Sequence, residues 1–230
     1  MGKRLDHKNE ILENPEVLQE KIVEAENWFE SNSKLVLGVA IGVALIVAGF
    51  FGYQYYKDSQ DDKAQQEMFQ AVYYFEADSL DQALNGDANT LGFLGIIEEF
   101  GITDAANLAN YYAGVIYLKQ GKFEPARLYL EDFKSNDLLI QARAYSLIGD
   151  TYMEENNFAD AAKYYSKAAN YKPNKYFSPI YLMKEALAYE KANQVDKARE
   201  TYDKVITQYW DSSEYQKARK FKARLEGQPS

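Results

Sequence analysis

Three stretches of the chain lie over one another in register: YLKQGKFEPARLYL from Tyr117, YMEENNFADAAKYY from Tyr152 and YEKANQVDKARETY from Tyr189. In each, an alanine follows the tyrosine by nine residues, at Ala126, Ala161 and Ala198, and Leu130, Tyr165 or Tyr202 comes four residues later. The copies are spaced by 35 and then 37 residues. A period of this length marks units of supersecondary structure that bury their apolar faces only by stacking on one another. That constraint points to an all-α helical solenoid.

Small residues explain how the units close. Gly114, Gly149 and Ala186 remove bulk from the first helix of each pair, and Ala126, Ala161 and Ala198 remove it from the second. The helices then approach closely, and the rings of Tyr117, Tyr152 and Tyr189 fill the space beside the crossing. Gly121, Asn156 and Asn193 stand between the helices of each pair, where the left-handed conformation that ends a helix is needed. This pattern resembles the tetratricopeptide repeat. The middle copy carries nearly all of it, in Tyr145, Ile148, Gly149, Tyr152, Ala161, Tyr165 and Pro173, whereas the first lacks the closing proline and the third replaces it with Trp210. The tyrosines therefore read as core spacers rather than catalytic groups.

Ahead of the repeats, residues 35–56 read LVLGVAIGVALIVAGFFGYQYY without a charge. At about 1.5 Å per residue this run is long enough to span a hydrocarbon layer of roughly 30 Å. Trp28 and Phe29 before it, and Tyr53, Tyr55 and Tyr56 at its end, suit the two interfaces. The run is expected to be a permanent anchor. Gly38 and Gly42, with Ala40, Ala44, Ala48 and Gly52, give it a face of small residues on which another transmembrane helix could pack; Gly and Ala are also simply common in such spans. Lysines flank both ends, so the charge count leaves the orientation open.

The expected organisation is a polar tail with a short amphipathic helix over 1–34, starting after Asn14 and carrying Leu18, Ile22, Ala25 and Phe29 on one face. The anchor over 35–56 follows, then an irregular helical segment over 57–104. Three repeat-like pairs and a terminal helix over 105–230 complete it. In the irregular segment NGDAN interrupts the helix after Ala83, GFLGIIEEFG forms a second short helix, and Thr103 or Asp104 caps the next. A helix from Ser212 to Leu225 covers the open end of the stack, as terminal repeats require.

Composition narrows the chemistry. Cysteine is absent and the lone histidine, His7, lies in the tail, so thiolate chemistry, a histidine-based triad and a multi-histidine metal site are excluded. The net charge of -9 opposes attachment to nucleic acid. The basic stretch QKARKFKAR near the end reads mainly as a solvated last helix, and secondarily as a site for anionic membrane lipid or an acidic partner. No phosphate-binding glycine loop, HExxH or GxSxG occurs. The chain is expected to be no enzyme and to need no cofactor or metal.

The first helix of each pair should line a concave wall suited to a peptide or an amphipathic helix. In this register the wall comprises Tyr111, Val115 and Leu118, then Arg143, Asp150 and Glu154, then Met183 and Leu187. An alternative is that the irregular segment covers Tyr111, Val115 and Leu118.

The plan as a whole, together with FGITDAANLANYYAGVIYLKQGKFEPARLYLEDF and the Gly149 repeat, is similar to the YfgM-like family of bacterial inner-membrane proteins. The resemblance implies a repeat domain held in the periplasm. It also implies an adaptor role beside the Sec translocon (SecYEG), shared with a membrane-anchored periplasmic chaperone or peptidyl-prolyl isomerase, with secreted polypeptides as clients. Two other placements stay open at this level: a structural subunit of another envelope secretion or outer-membrane biogenesis assembly, and a cytosol-facing recruiter of soluble partners.

Overall fold

The computed structural model describes residues 15–227. The tail with His7, and Asn14 as the residue before the first helix, lie outside the described residues. Those residues are helical throughout, apart from turns and one isolated bridge between Gly86 and Leu91. The chain divides into two compact units, Met1–Tyr56 and Lys57–Ser230.

The first unit holds α1 (Pro15–Ser31) and the start of α2 (Ser33–Glu76). Proline at the first helical position needs no amide donor there, which favours a helix start. Leu18, Ile22 and Phe29 of α1 are exposed, and α1 buries no side chain. By length and composition α2 is long and apolar enough to cross a membrane, and none of its apolar window is buried. Added Cβ atoms at Gly38, Gly42 or Gly52 would meet no atom within 4 Å. None of Gly38, Ala40, Gly42, Ala44, Ala48 and Gly52, the small-residue face, is buried by the described residues.

In the second unit the remainder of α2 buries Ala64, Met68 and Ala71 in a cluster with Phe93, Ile96, Ala106 and Ile116. Two short helices, α3 (Leu80–Asn85) and α4 (Phe93–Glu99), replace a regular second helix. The reason is the turn between them. Gly86 has φ +82, and a Cβ there would lie 2.3 Å from the Thr90 carbonyl oxygen, so only glycine lets the chain fold back at this point. Asp87 braces the turn, accepting from the amides of Asn89 (2.8 Å) and Thr90 (3.0 Å) and from the Tyr74 hydroxyl (2.5 Å). Thr103 caps the next helix by accepting from the Ala106 amide at 3.1 Å.

Three antiparallel pairs follow. They are α5 (Asp104–Lys119) with α6 (Phe123–Asp132), α7 (Ile140–Glu154) with α8 (Phe158–Asn170), and α9 (Ser178–Lys191) with α10 (Val195–Gln208). The turns inside the pairs hold Gly121, Asn156 and Asn193 at φ +72, +59 and +55. A last helix, α11 (Tyr215–Glu226), sets Ala218, Phe221 and Leu225 over Tyr202 and Val205 of α10.

The crossings are made by the small residues. A Cβ on Gly114 would lie 2.6 Å from Leu130 Cγ, and one on Gly149 would lie 2.6 Å from Tyr165 Cε1. Ala126, Ala161, Ala186 and Ala198 are fully buried. Tyr117 stacks on Tyr129 with centroids 5.4 Å apart, and Tyr152 stacks on Tyr164 at 5.5 Å in the equivalent place. In the third pair Thr201 stands where a stacking ring would be, and Tyr189 lies under Lys197 instead. Arg127 ties the first pair to the second: it spreads over the Tyr152 ring and pairs with Glu155 at 2.5 Å.

Candidate functional site

The first helices of the three pairs carry the site. Toward the carboxyl ends of α5, α7 and α9 a concavity of about 610 Å³ opens, and its lining includes Leu118, Asp150, Glu154 and Leu187. These four come from three different pairs, brought together because the pairs stack in register. Phe123, Met153, Tyr165 and Lys184 line it too, with Lys119 and Gly121 at the end of α5 and the turn after it.

At its centre Lys184 donates to both carboxylate oxygens of Asp150, at 2.8 and 2.9 Å, and to Ser146 Oγ at 3.2 Å. The Tyr165 hydroxyl donates to the same Asp150 at 2.6 Å. Lys184 also lies over the Tyr165 ring, 5.4 Å from its centroid. Burial, reinforced by the Asp150 charge and hydrogen bond, pushes the Tyr165 hydroxyl well above the usual tyrosine range, so it remains a donor. With its oxygens engaged by Lys184 and Tyr165, Asp150 serves as a joint between consecutive pairs. Apolar Leu118, Phe123, Met153 and Leu187 surround this joint, and Glu154 is exposed.

The remaining predicted wall residues lie elsewhere. Tyr111 is 8% exposed and packs on Phe133 at 5.3 Å and beside Tyr112 at 5.8 Å. Its cover comes from Leu130 of its own pair and from Ala144 and Ile148 of the following one, rather than from the irregular segment. Val115 is half-buried against that same cluster. Met183 is 7% exposed and belongs to the core with Ala142, Ala168 and Ala169. Tyr111, Ser146 and Met183 are equivalent positions in the three pairs and all are buried, because this register position meets the neighbouring pair. The groove expectation is corrected at Tyr111 and Met183. Arg143 is exposed, and its charge opposes the upward push of burial on the hydroxyls of Tyr111 and Tyr181.

Sequence reasoning missed Lys184 and Tyr165. A signal existed for the first: an acid on one first helix and a base about one repeat later on the next, both on the face that also carries Leu187.

Stacked antiparallel helix pairs with a concave wall of mixed character define a helical-repeat scaffold. Residues 108–137 and 141–213 match family models described as tetratricopeptide repeat. The first match falls on α5 and α6, the second on α7 to α10. The chain therefore carries tetratricopeptide repeats, which suggest a scaffold for protein–protein interaction. No curated protein sequence matches the chain.

Proposed function

We propose that this protein is a non-catalytic, membrane-tethered adaptor that holds polypeptide segments in the concavity between α5, α7 and α9. One observation carries the reading: that concavity, apolar around a self-satisfied polar joint, belongs to a chain whose long helix α2 has an apolar run with no buried residue. An extended or helical segment would cover Leu118, Phe123 and Leu187 while Glu154 meets its polar edge.

The finer assignment is an adaptor of the Sec translocon in the bacterial inner membrane. It would place the repeats in the periplasm beside a membrane-anchored chaperone or peptidyl-prolyl isomerase, with secreted polypeptides as clients. Its support is the likeness of the whole plan to the YfgM-like family. Purification of the full chain from membranes in a mild detergent, followed by identification of bound proteins, tests it. Translocon and chaperone components are expected. Their absence beside an abundant subunit of a different envelope machine would instead favour a structural scaffold role. A reporter fused after Ser230 is expected to be active only outside the cytosol, and activity inside would refute the periplasmic placement.

A further inference from the structure

A second groove, of about 670 Å³, lies between the later part of α2 and the start of α5, away from the concave wall. Met68 and Ala105 form its floor and are buried; Val72 and Leu108 are half-buried. Phe69 and Tyr73 rise beside them at 77% and 60% exposure, unusual values for large rings on the same helix face. Along α2 the lining runs Asp61, Gln65, Met68, Phe69, Val72, Tyr73 and Glu76, the spacing of one helical stripe. Such a stripe is about 22 Å long.

The charge at the rim selects the occupant. Asp61 and Glu76 stand at the two ends of the stripe, and Asp104 joins them from α5. Asp61 accepts from the Ala105 amide at 2.9 Å and from the Gln65 side-chain amide at 2.6 Å. Lys57 pairs with Asp104 at 2.8 Å, and the described residues that line the groove hold three carboxylates and no cationic side chain. A second copy of the chain laid stripe to stripe would bring the same three carboxylates against one another. A helix with an apolar face and basic flanks meets no such repulsion.

We infer that this groove docks a basic amphipathic helix of a partner protein, about four turns long, on Phe69, Val72 and Tyr73, with its cations facing Asp61, Glu76 and Asp104. Apolar contact holds the helix in place, while the carboxylates decide which helices are accepted. The site is separate from the concavity, so the adaptor engages two polypeptides at once.

The test uses the full chain in phosphatidylcholine nanodiscs and two fluorescent model peptides of about 15 residues, one of leucine and lysine and one of leucine and glutamate. Anisotropy titration is expected to show the lysine peptide bound at least about tenfold more tightly than the glutamate peptide. Joint replacement Phe69→Ala and Tyr73→Ala, at exposed positions, is expected to weaken the lysine peptide about tenfold without lowering the melting temperature. Glu76→Lys should weaken it several-fold and narrow the preference between peptides. Leu187→Ala, in the concave wall, should leave it unchanged. Equal binding of both peptides, binding no stronger than to empty nanodiscs, or loss on Leu187→Ala alone would overturn the inference. Self-association in sedimentation velocity that disappears with the Phe69 and Tyr73 replacements would also overturn it, assigning the stripe to a second copy.

Discussion

The pair α7 and α8 and the irregular segment from α2 to α4 solve the same packing problem in opposite ways. In the first, Gly149 admits Tyr165 to the crossing, and both Tyr165 and Ile148 are buried there. In the second, two short helices joined through Gly86 take the place of one long helix, and Phe69 and Tyr73 are left exposed on α2. A regular pair closes its own interface and offers partners a surface set by its first helix. A broken pair leaves apolar surface uncovered. The difference explains why the two grooves are unlike: one apolar around an ion-paired joint, the other apolar with a negatively charged rim.

The largest expected effect comes from closing the regular crossing. Gly149→Leu puts a branched side chain where a Cβ alone lies 2.6 Å from the Tyr165 ring, so either α8 moves or the ring leaves its site. A loss of about 3 kcal/mol in denaturant stability is expected, and an unchanged midpoint would show that the crossing is not as tight as its geometry. The same change at Gly95, in the irregular segment, meets Leu91 side-chain atoms at 3.0 Å or more and should cost less.

A change of opposite sign is expected at Glu185, buried in α9 at 4% exposure. Burial raises its carboxyl to about 7, against the lowering influence of Lys204 and the Ser166 hydrogen bond, with Glu200 adding to the rise. An acid whose folded-state pKa is raised stabilises the fold most below its ordinary value of 4.5, and that contribution is lost as pH rises through about 7. Glu185→Gln is therefore expected to stabilise the protein at pH 8, by on the order of 2 kcal/mol, and to change little near pH 4. Equal effects at both pH values in thermal melts would contradict the assignment.

Gly121→Ala separates backbone strain from crowding. Its φ is +72, yet an added Cβ meets nothing within 4 Å, so only the left-handed conformation is penalised. The expected cost is about 1 kcal/mol, well below that at Gly149. The smallest effect belongs to the irregular segment. The Tyr74 hydroxyl first, then the Asn89 amide, lower the Asp87 carboxyl to about 2. Its contribution is present above the ordinary value of 3.8 and fades as pH falls through about 2. Asp87→Asn should speed amide exchange at Asn89 and Thr90 at neutral pH and leave the global melting temperature almost unmoved.

Much of this was legible in one dimension because a repeat writes the same contact several times. Gly114, Gly149, Ala126 and Ala161 recur at fixed offsets, and the recurrence identifies the crossing without any coordinates. The turn residues Gly121, Asn156 and Asn193 were readable for a related reason, since few residue types accept a positive φ. The stacked pairs Tyr117 with Tyr129 and Tyr152 with Tyr164 also recur, twelve residues apart within each pair. The wall was only half legible. Leu118, Asp150, Glu154 and Leu187 share the concavity, whereas Tyr111 and Met183 are covered by adjoining pairs, and no periodicity within one helix reveals what its neighbour covers.

By itself, the order of residues determined that the chain is helical, that it repeats, and that one run is apolar enough for a membrane, because each of these is a local or periodic property of side-chain size and polarity. Only the tertiary structure decided that Lys184 reaches Asp150 from the next pair, that Met183 lies inside, and that Phe69 and Tyr73 stand open beside Asp61, Glu76 and Asp104. Those outcomes depend on distances between helices far apart along the chain, and burial is a property of the neighbours a side chain acquires rather than of the side chain itself.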